Sequence, residues 1–232
     1  MAVRSRHDSR NHFEGSNLDM GTKEEQSHTT SRGQRGRCMA KRVFFSFHYQ
    51  DVIDFRANVV RQHWLTKPDR DSAGFFDASV WETAKRTGTV AVKRLINSAL
   101  EGTSVTCVLA GSETYARPWV RYEILKSFRR GSSLLAVHIN SIRGKDQTTK
   151  PSGPNPLAYV GVTFSDSGDT ATLWEKTNAT WKEYSGIDDS ASYRTGGVAA
   201  QYRGKGFNLA NWYPTYDWVS NDGYNNFGAW VA

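Results

Sequence analysis

Residues 104–128 read SVTCVLAGSETYARPWVRYEILKSF, and this stretch decides the fold class. Its first part, residues 105–110, is a short apolar and β-branched run of the kind that forms a buried strand. Gly111 ends that run, and a loop leads through Pro118 into a helix predicted to begin near Trp119. A buried strand followed by a helix is the repeating unit of a parallel α/β sheet.

Glu123 follows Trp119 by four residues, so the two side chains share one face of that helix. The helix starts just past the carboxyl end of a strand, where open α/β sheets bind their ligands. A carboxylate at this edge can bind a sugar hydroxyl and stabilise a developing oxocarbenium ion. The alternative is a solvated glutamate that interacts favourably with the helix dipole. The spacing leaves both interpretations open.

Residues 42–139 repeat the same alternation of strand and helix. We predict strands at 42–47, 74–77 and 134–139 besides the one already described, and helices at 52–64 and 90–100. This order predicts an α/β fold with a central parallel sheet and helices on both faces.

The character of the chain changes at both ends of this region. Residues 143–232 contain a predicted hairpin at 172–184, which turns at 177–179, and a last helix with Asp222 as its N-cap. We predict that they form an α+β C-terminal elaboration packed on an α/β domain of residues 39–142. Residues 1–38 are polar, with almost no aliphatic side chains, and are expected to be a disordered extension.

Charge and cysteine usage restrict the partners and the compartment. The net charge is +7, but the basic residues are scattered and form no stripe with interleaved aromatics, so nucleic-acid binding is not expected. No apolar run is long enough to cross a bilayer, and the N-terminus has no apolar signal-peptide core. Cys38 and Cys107 lie in dissimilar surroundings and are not expected to pair. These features predict a cytoplasmic protein without membrane contact.

Four further residues lie at the same predicted edge of the sheet as Glu123. Phe47 and His48 follow the first strand, where aromatic rings either stack on a base or nicotinamide or close the core. His48 is also the histidine best placed for acid–base chemistry. Asp77 ends the predicted second strand, with helix capping as its alternative role, and Ser112 offers a hydroxyl to a ligand or terminates the third strand.

Several motifs that would indicate other chemistry do not occur in the sequence. It contains no GxGxxG, Walker loop, CxxC, HExxH or GxSxG. We therefore predict neither a metal site nor a dinucleotide-dehydrogenase or P-loop activity.

The sequence resembles the Toll/interleukin-1 receptor (TIR) superfamily. RVFFSFHYQD, residues 42–51, is similar to the opening strand and loop of that family, and the spacing of Trp119 and Glu123 matches the WxxxE pattern of bacterial members. With the GPNP turn and the ending YDWVSNDGYNNF, residues 39–232 resemble the TIR-like subunit of the bacterial Thoeris anti-phage system.

This resemblance implies a flavodoxin-like fold and an NAD-consuming enzyme of the glycohydrolase or ADP-ribosyl cyclase type. NAD would be the substrate, with no cofactor, and the product would be a cyclic ADP-ribose isomer that activates a partner effector protein. The catalytic glutamate of the family corresponds to Glu123, and its pocket positions correspond to Phe47, Asp77, Ser112 and Trp119. The resemblance also implies a homo-oligomer on activation. The alternatives are a non-catalytic TIR signalling adaptor and a nucleotide-sensing flavodoxin-like module.

Overall fold

The structure is a computed structural model that describes residues 41–187 and 190–232. The predicted extension, residues 1–38, lies outside the described residues. The strands are β1 (Lys41–Phe47), β2 (Arg70–Ala73), β3 (Val105–Ala110), β4 (Ser133–His138), β5 (Val160–Phe164), β6 (Thr170–Thr177), β7 (Thr180–Glu183), β8 (Ser192–Arg194), β9 (Gly206–Asn208) and β10 (Thr215–Asp217). The helices are α1 (Tyr49–Ile53), α2 (Arg56–Leu65), α3 (Ala78–Thr87), α4 (Thr89–Leu100), α5 (Pro118–Arg129) and α6 (Gly223–Trp230).

The central sheet has the strand order β2-β1-β3-β4-β10, and all of its neighbouring strands are parallel. This is the flavodoxin-like order, in which the chain winds first to one side of β1 and then to the other. The predicted fold class is therefore confirmed. The switch point, where the winding reverses, lies between β1 and β3.

Alternate residues of β1 and β3 face opposite layers of helices. Phe44 and Val108 point into a core that contains α4, α5 and part of the C-terminal elaboration. Phe45 and Cys107 point the other way, into a core formed with α2 and α6. Because both faces are covered, β3 is buried along its whole length, as its unbroken apolar run predicted.

The second strand was predicted at residues 74–77, and this prediction is wrong because the strand lies at Arg70–Ala73. Its sequence, RDSA, is polar since β2 is an edge strand whose side chains reach solvent and neighbouring charges. Asp71 pairs with Arg42 at 3.2 Å. Gly74 ends the strand at φ 91°, where a Cβ would lie 2.1 Å from the Phe45 carbonyl oxygen.

The single helix predicted at residues 52–64 is two helices, α1 and α2. They are separated by Phe55, whose φ of 65° is left-handed and cannot continue a helix. Arg56 starts α2 and is buried, with its guanidinium donating to the carbonyl oxygens of Ile142 and Thr148 at 3.0 and 2.7 Å. The break between the helices therefore places the buried Arg56 guanidinium against residues 142–148, which follow β4.

The C-terminal elaboration contains an antiparallel sheet of order β7-β6-β5-β9, with β8 paired to β6. The predicted hairpin is confirmed as β6 and β7. Its two-residue turn, Asn178 and Ala179, has positive φ at both positions, as tight hairpins require. The register places Trp174 opposite Glu183 and Trp181 opposite Lys176, so the two tryptophans of the hairpin are not directly opposite each other.

The same elaboration also supplies β10 to the central sheet. Thr215 pairs with Ala136, and the strand lies parallel to β4 at the edge of the sheet. The predicted last helix is α6, which follows Asp222 and packs Phe227 into the core on the α2 face. The central sheet thus draws its fifth strand from beyond residue 142. Across the part of the chain that the structure describes, no helix is long and apolar enough to cross a membrane.

Candidate active site

A cavity of about 310 Å³ opens at the carboxyl end of β1, beside the switch point of the sheet. This volume is at the lower end of the range for small-molecule sites, which begins at about 300 Å³. Its position is the one where open α/β sheets bind ligands. The lining residues are Phe45, Phe47, His48, Tyr49, Gly74, Phe76, Trp81, Lys85, Arg117, Pro118, Trp119, Val120 and Glu123.

Glu123 lies in the cavity wall and is only 6% exposed, so it is not a solvated helix charge. The hydroxyl of Ser46 donates a hydrogen bond of 2.6 Å to its Oε2. Burial raises the pKa of the Glu123 carboxyl to about 8, and the hydrogen bond from Ser46 opposes that rise. At neutral pH this carboxyl is therefore mostly protonated in the ligand-free protein.

Local sequence explains why these two side chains meet. Pro118 starts α5 with a fixed φ at a position that needs no N–H donor, which places Glu123 in the second turn over the end of β1. Ser46 has the same parity as Phe44 along β1, and so its hydroxyl points toward α5. Phe45 and Phe47 have the opposite parity and pack with Phe75 on the α2 side.

Aromatic rings from two helices form the wall of the cavity next to Glu123. Trp81 of α3 stacks on Phe76, with ring centroids 5.6 Å apart and planes 11° apart. The Trp81 ring also packs edge-to-face with Trp119 of α5, with ring centroids 6.4 Å apart. A flat ring bound in this cavity therefore has apolar surfaces to pack against.

Two cationic side chains line the cavity. They are Lys85 and Arg117, and each also pairs with a surface glutamate, Glu82 and Glu113 respectively. Burial and the neighbouring Arg117 lower the pKa of His48, which favours its neutral form. Within the described ranges no cationic side chain pairs with Glu123, and its pKa shift comes from burial and Ser46 alone.

The structure brings four of the six predicted site residues into one cavity, namely Phe47, His48, Trp119 and Glu123. Asp77 and Ser112 do not line it. Asp77 is an exposed residue at the N-cap position of α3, where its backbone carbonyl accepts from the Trp81 amide at 3.0 Å. Its placement follows from the shift of β2, because residue 77 is not the end of a strand.

Ser112 lies in the loop after β3, as predicted, but it points toward the C-terminal elaboration. Asn140 Nδ2 donates to its Oγ at 2.8 Å, and Asn140 also donates to the Pro151 carbonyl oxygen. Its hydroxyl therefore ties two loops together. Ligand-binding roles for Asp77 and Ser112 stay predictions.

Sequence reasoning missed the contribution of α3, because no helix was predicted between the strand at 74–77 and the helix at 90–100. Trp81 and Lys85 both line the cavity and are four apart on that helix, the spacing that places two side chains on one face. That spacing was the sequence feature that could have indicated a helix with both side chains facing the cavity. Ser46 carried no such signal, since its partner lies 77 residues away along the chain.

A second cavity of about 310 Å³ lies between the end of α2 and α6. It reaches Arg70, the first residue of β2, and so lies at the amino end of that strand rather than at the ligand-binding edge. None of its lining residues is a carboxylate. As for metal ions, no group of three or more His, Cys, Asp or Glu side chains could hold one within residues 41–187 and 190–232.

Comparison with known proteins identifies the family to which this sequence belongs. Residues 44–143 match the family described as Thoeris protein ThsB, TIR-like domain. A protein of Bacillus cereus (strain MSX-D12) is 54% identical over 194 residues, which make up 83% of this chain and 100% of that protein. The chain belongs to the ThsB family. The relative is named ThsB1 and is designated a candidate cyclic ADP-D-ribose synthase.

Membership of the ThsB family confirms the resemblance inferred from the sequence motifs. The family match covers the segment from β1 to the residues just after β4, including both Ser46 and Glu123. The similarity to ThsB1 is longer than that segment, so it also includes residues of the C-terminal elaboration.

Proposed function

We propose that this ThsB-family protein cleaves the nicotinamide–ribose bond of NAD and forms a cyclic ADP-ribose isomer. The observation that carries the proposal is Glu123, a buried carboxyl that lies in an aromatic-walled cavity and has no cationic partner among the residues the structure describes. A buried carboxyl without a counterion ionises more readily when a ligand brings its own positive charge beside it. The designation of ThsB1 as a candidate cyclic ADP-D-ribose synthase supports the same chemistry.

The proposed reaction needs one carboxylate and no general acid. The bond between the nicotinamide nitrogen and the anomeric carbon breaks, and its electron pair stays on the nitrogen, so the cationic ring leaves as neutral nicotinamide. A hydroxyl oxygen of the same ADP-ribose then bonds to the anomeric carbon and releases its proton. The Glu123 carboxylate stabilises positive charge on the ribose and can accept that proton.

The remaining lining residues suit the rest of the substrate. Trp119, Trp81 and Phe76 offer apolar faces for the nicotinamide ring and keep water away from the reactive carbon. Exclusion of water favours the internal hydroxyl, which is already held near the anomeric carbon. Lys85 and Arg117 carry charge of the sign that would interact with the diphosphate.

The proposed partners follow from this chemistry and from the Thoeris family. NAD acts as a substrate and not as a resident cofactor, and the product diffuses to an effector protein that it activates. Assembly into a homo-oligomer on activation and a cytoplasmic location are parts of the same proposal. Nucleic acid is not a partner.

The direct test is chromatography of small molecules from cells that express the protein, with and without phage infection. We expect NAD to fall and a cyclic ADP-ribose isomer to accumulate in infected cells. Saturable binding of NAD by the purified protein without turnover would instead indicate a nucleotide-sensing module. Signalling that persists without any nucleotide product would indicate an adaptor.

We expect NAD consumption to increase with pH. The reaction requires the ionised carboxylate, while the pKa of Glu123 is raised to about 8 in the ligand-free protein, so the neutral form dominates below that pH. The kcat/KM for NAD should therefore rise about tenfold per pH unit below the pKa and level off above it. Initial rates of the purified, activated protein across this range measure the profile. A rate that does not change with pH would contradict an ionised Glu123 as the required form.

A further inference from the structure

The hydrogen bond from Ser46 of β1 to Glu123 of α5 is short, and its donor is held rigidly. Ser46 is fully buried, and its backbone is fixed opposite Val108 by the parallel pairing of β1 with β3. From this rigid position its Oγ lies 2.6 Å from Glu123 Oε2. A distance of 2.5–2.7 Å is characteristic of a strong hydroxyl–carboxylate hydrogen bond.

Among residues 41–187 and 190–232, the Glu123 carboxyl has no hydrogen-bond partner besides Ser46. The rings of Phe76, Trp81 and Trp119 supply apolar parts of the same cavity wall. A glutamate side chain has several rotatable bonds, and an apolar wall does not select the orientation of its oxygens. A donor on a strand of the sheet does select it.

We propose that Ser46 is a positioning residue, whose hydroxyl holds Oε2 of Glu123 so that the carboxylate faces the anomeric carbon of the bound substrate. This inference rests on the proposed function and adds a second residue to that site. Ser46 does not touch the substrate. It acts through Glu123, by fixing the carboxylate and by favouring its ionised form over the neutral one.

The other ionisable groups at this cavity lie on different elements and stay unchanged when Ser46 is replaced. They are His48 after β1, Tyr49 at the start of α1, Lys85 on α3 and Arg117 at the start of α5. None of them hydrogen-bonds Ser46 or Glu123 in the described part of the chain. A shift in the pH profile of a Ser46 variant therefore reports on Glu123.

A matched control for the Ser46 variant lies on α5, one helical turn after Glu123. Ser127 of α5 and Thr106 of β3 form a buried hydroxyl pair at 2.8 Å, which also ties this helix to the sheet. Ser127→Ala removes a buried hydroxyl from the same interface without touching Glu123. If Ser46 merely anchors α5, then Ser46→Ala and Ser127→Ala should have the same effect.

We expect Ser46→Ala to lower kcat about tenfold to a hundredfold at neutral pH, with little change in KM, because a hydrogen bond to a charged group is lost. The midpoint of its pH profile should move up by about one unit or more. Ser46→Cys keeps the size of the side chain with a weaker donor and should fall between Ser46→Ala and wild type. Ser127→Ala should match wild type in kcat and in midpoint.

Equal losses in Ser46→Ala and Ser127→Ala, or a Ser46→Ala profile that coincides with that of wild type, would overturn the proposal. Circular dichroism and thermal melts establish that each variant is folded.

A second measurement separates this proposal from the proposed function. The carboxyl carbon of Glu123 can be followed by NMR in ¹³C-glutamate-labelled protein, with its signal assigned by the loss in Glu123→Gln. We expect the titration midpoint to be higher in Ser46→Ala than in wild type and unchanged in Ser127→Ala. An unchanged midpoint in Ser46→Ala overturns the positioning role even if NAD is consumed. A raised midpoint in a protein that never consumes NAD supports the Ser46–Glu123 coupling and rejects the enzymatic function.

Discussion

We expect Glu123→Gln to lower NAD consumption by about 10²–10³-fold, the loss typical when a group that stabilises transition-state charge is removed from a buried site. Glutamine has the shape of the neutral carboxyl and can still accept the hydrogen bond from Ser46, but it carries no charge at any pH. The loss should therefore appear in kcat more than in KM, because the charge matters most as the ribosyl cation develops. Measurement of nicotinamide release by the purified, activated proteins provides the test.

The same variant should fold at least as well as the wild type. The folded-state pKa of Glu123, about 8, is raised from the ordinary value of 4.5, so the folded protein binds this proton more tightly than the unfolded chain. The stability associated with that proton is fully present below the unfolded pKa and is lost as pH rises toward the folded pKa. The melting temperature of Glu123→Gln relative to wild type should therefore increase between about pH 5 and pH 8.

Glu101→Gln is the matched control, since Glu101 is an exposed glutamate at the end of α4. It should keep the wild-type rate of NAD consumption and show no comparable change in relative melting temperature with pH. If Glu123→Gln consumed NAD as fast as this control, the carboxylate would not be the catalytic group.

The parts of the fold that the sequence predicted correctly are those where the signal is local. The apolar run of β3 and the proline at the start of α5 are each determined by neighbouring residues, and both elements lie where they were expected. For the same reason the edge of the sheet that carries Glu123 could be identified. The strand β2 could not, because an edge strand with the sequence RDSA has no apolar pattern and gains its pairing from β1.

The site was harder to predict than the fold because its contacts join distant segments. Phe47 and His48 share the cavity with Glu123 because strand ends converge at one edge, which the predicted topology already implied. The pairing of Ser46 with Glu123 depends on the parity of β1 relative to α5, and the position of Trp81 depends on how α3 folds over the sheet. Neither dependence is visible in the spacing of residues within one segment.

In the C-terminal elaboration, too, only the elements with a local sequence signal could be predicted. Its hairpin was predictable, since the turn residues determine the register locally. The strand β10 was not predicted, because its three residues are too few to carry an apolar pattern and it is recognised only through its pairing with β4. Trp218, directly after β10, is buried in the core on the α2 face of the sheet.

We expect Trp218→Ala to destabilise the protein by about 3–5 kcal/mol, the usual cost of truncating a buried aromatic residue. Trp218 is fully buried, with ring centroids 5.6 Å from Phe227 and 5.4 Å from His63. No described residue accepts a hydrogen bond from its indole N–H, so the loss is one of packing. A melting temperature lower by about 6–20 °C in thermal denaturation would express this cost.

The neighbouring residue supplies the control, because Val219 is 52% exposed. Val219→Ala should change stability by less than about 0.5 kcal/mol, as substitutions at exposed positions generally do. If the segment after residue 142 were an independent attachment, Trp218→Ala would melt that segment alone in a separate early transition and leave the rest of the sheet intact. Because β10 is a strand of the central sheet and α6 covers its face, we expect instead that the variant unfolds in one transition at a lower temperature.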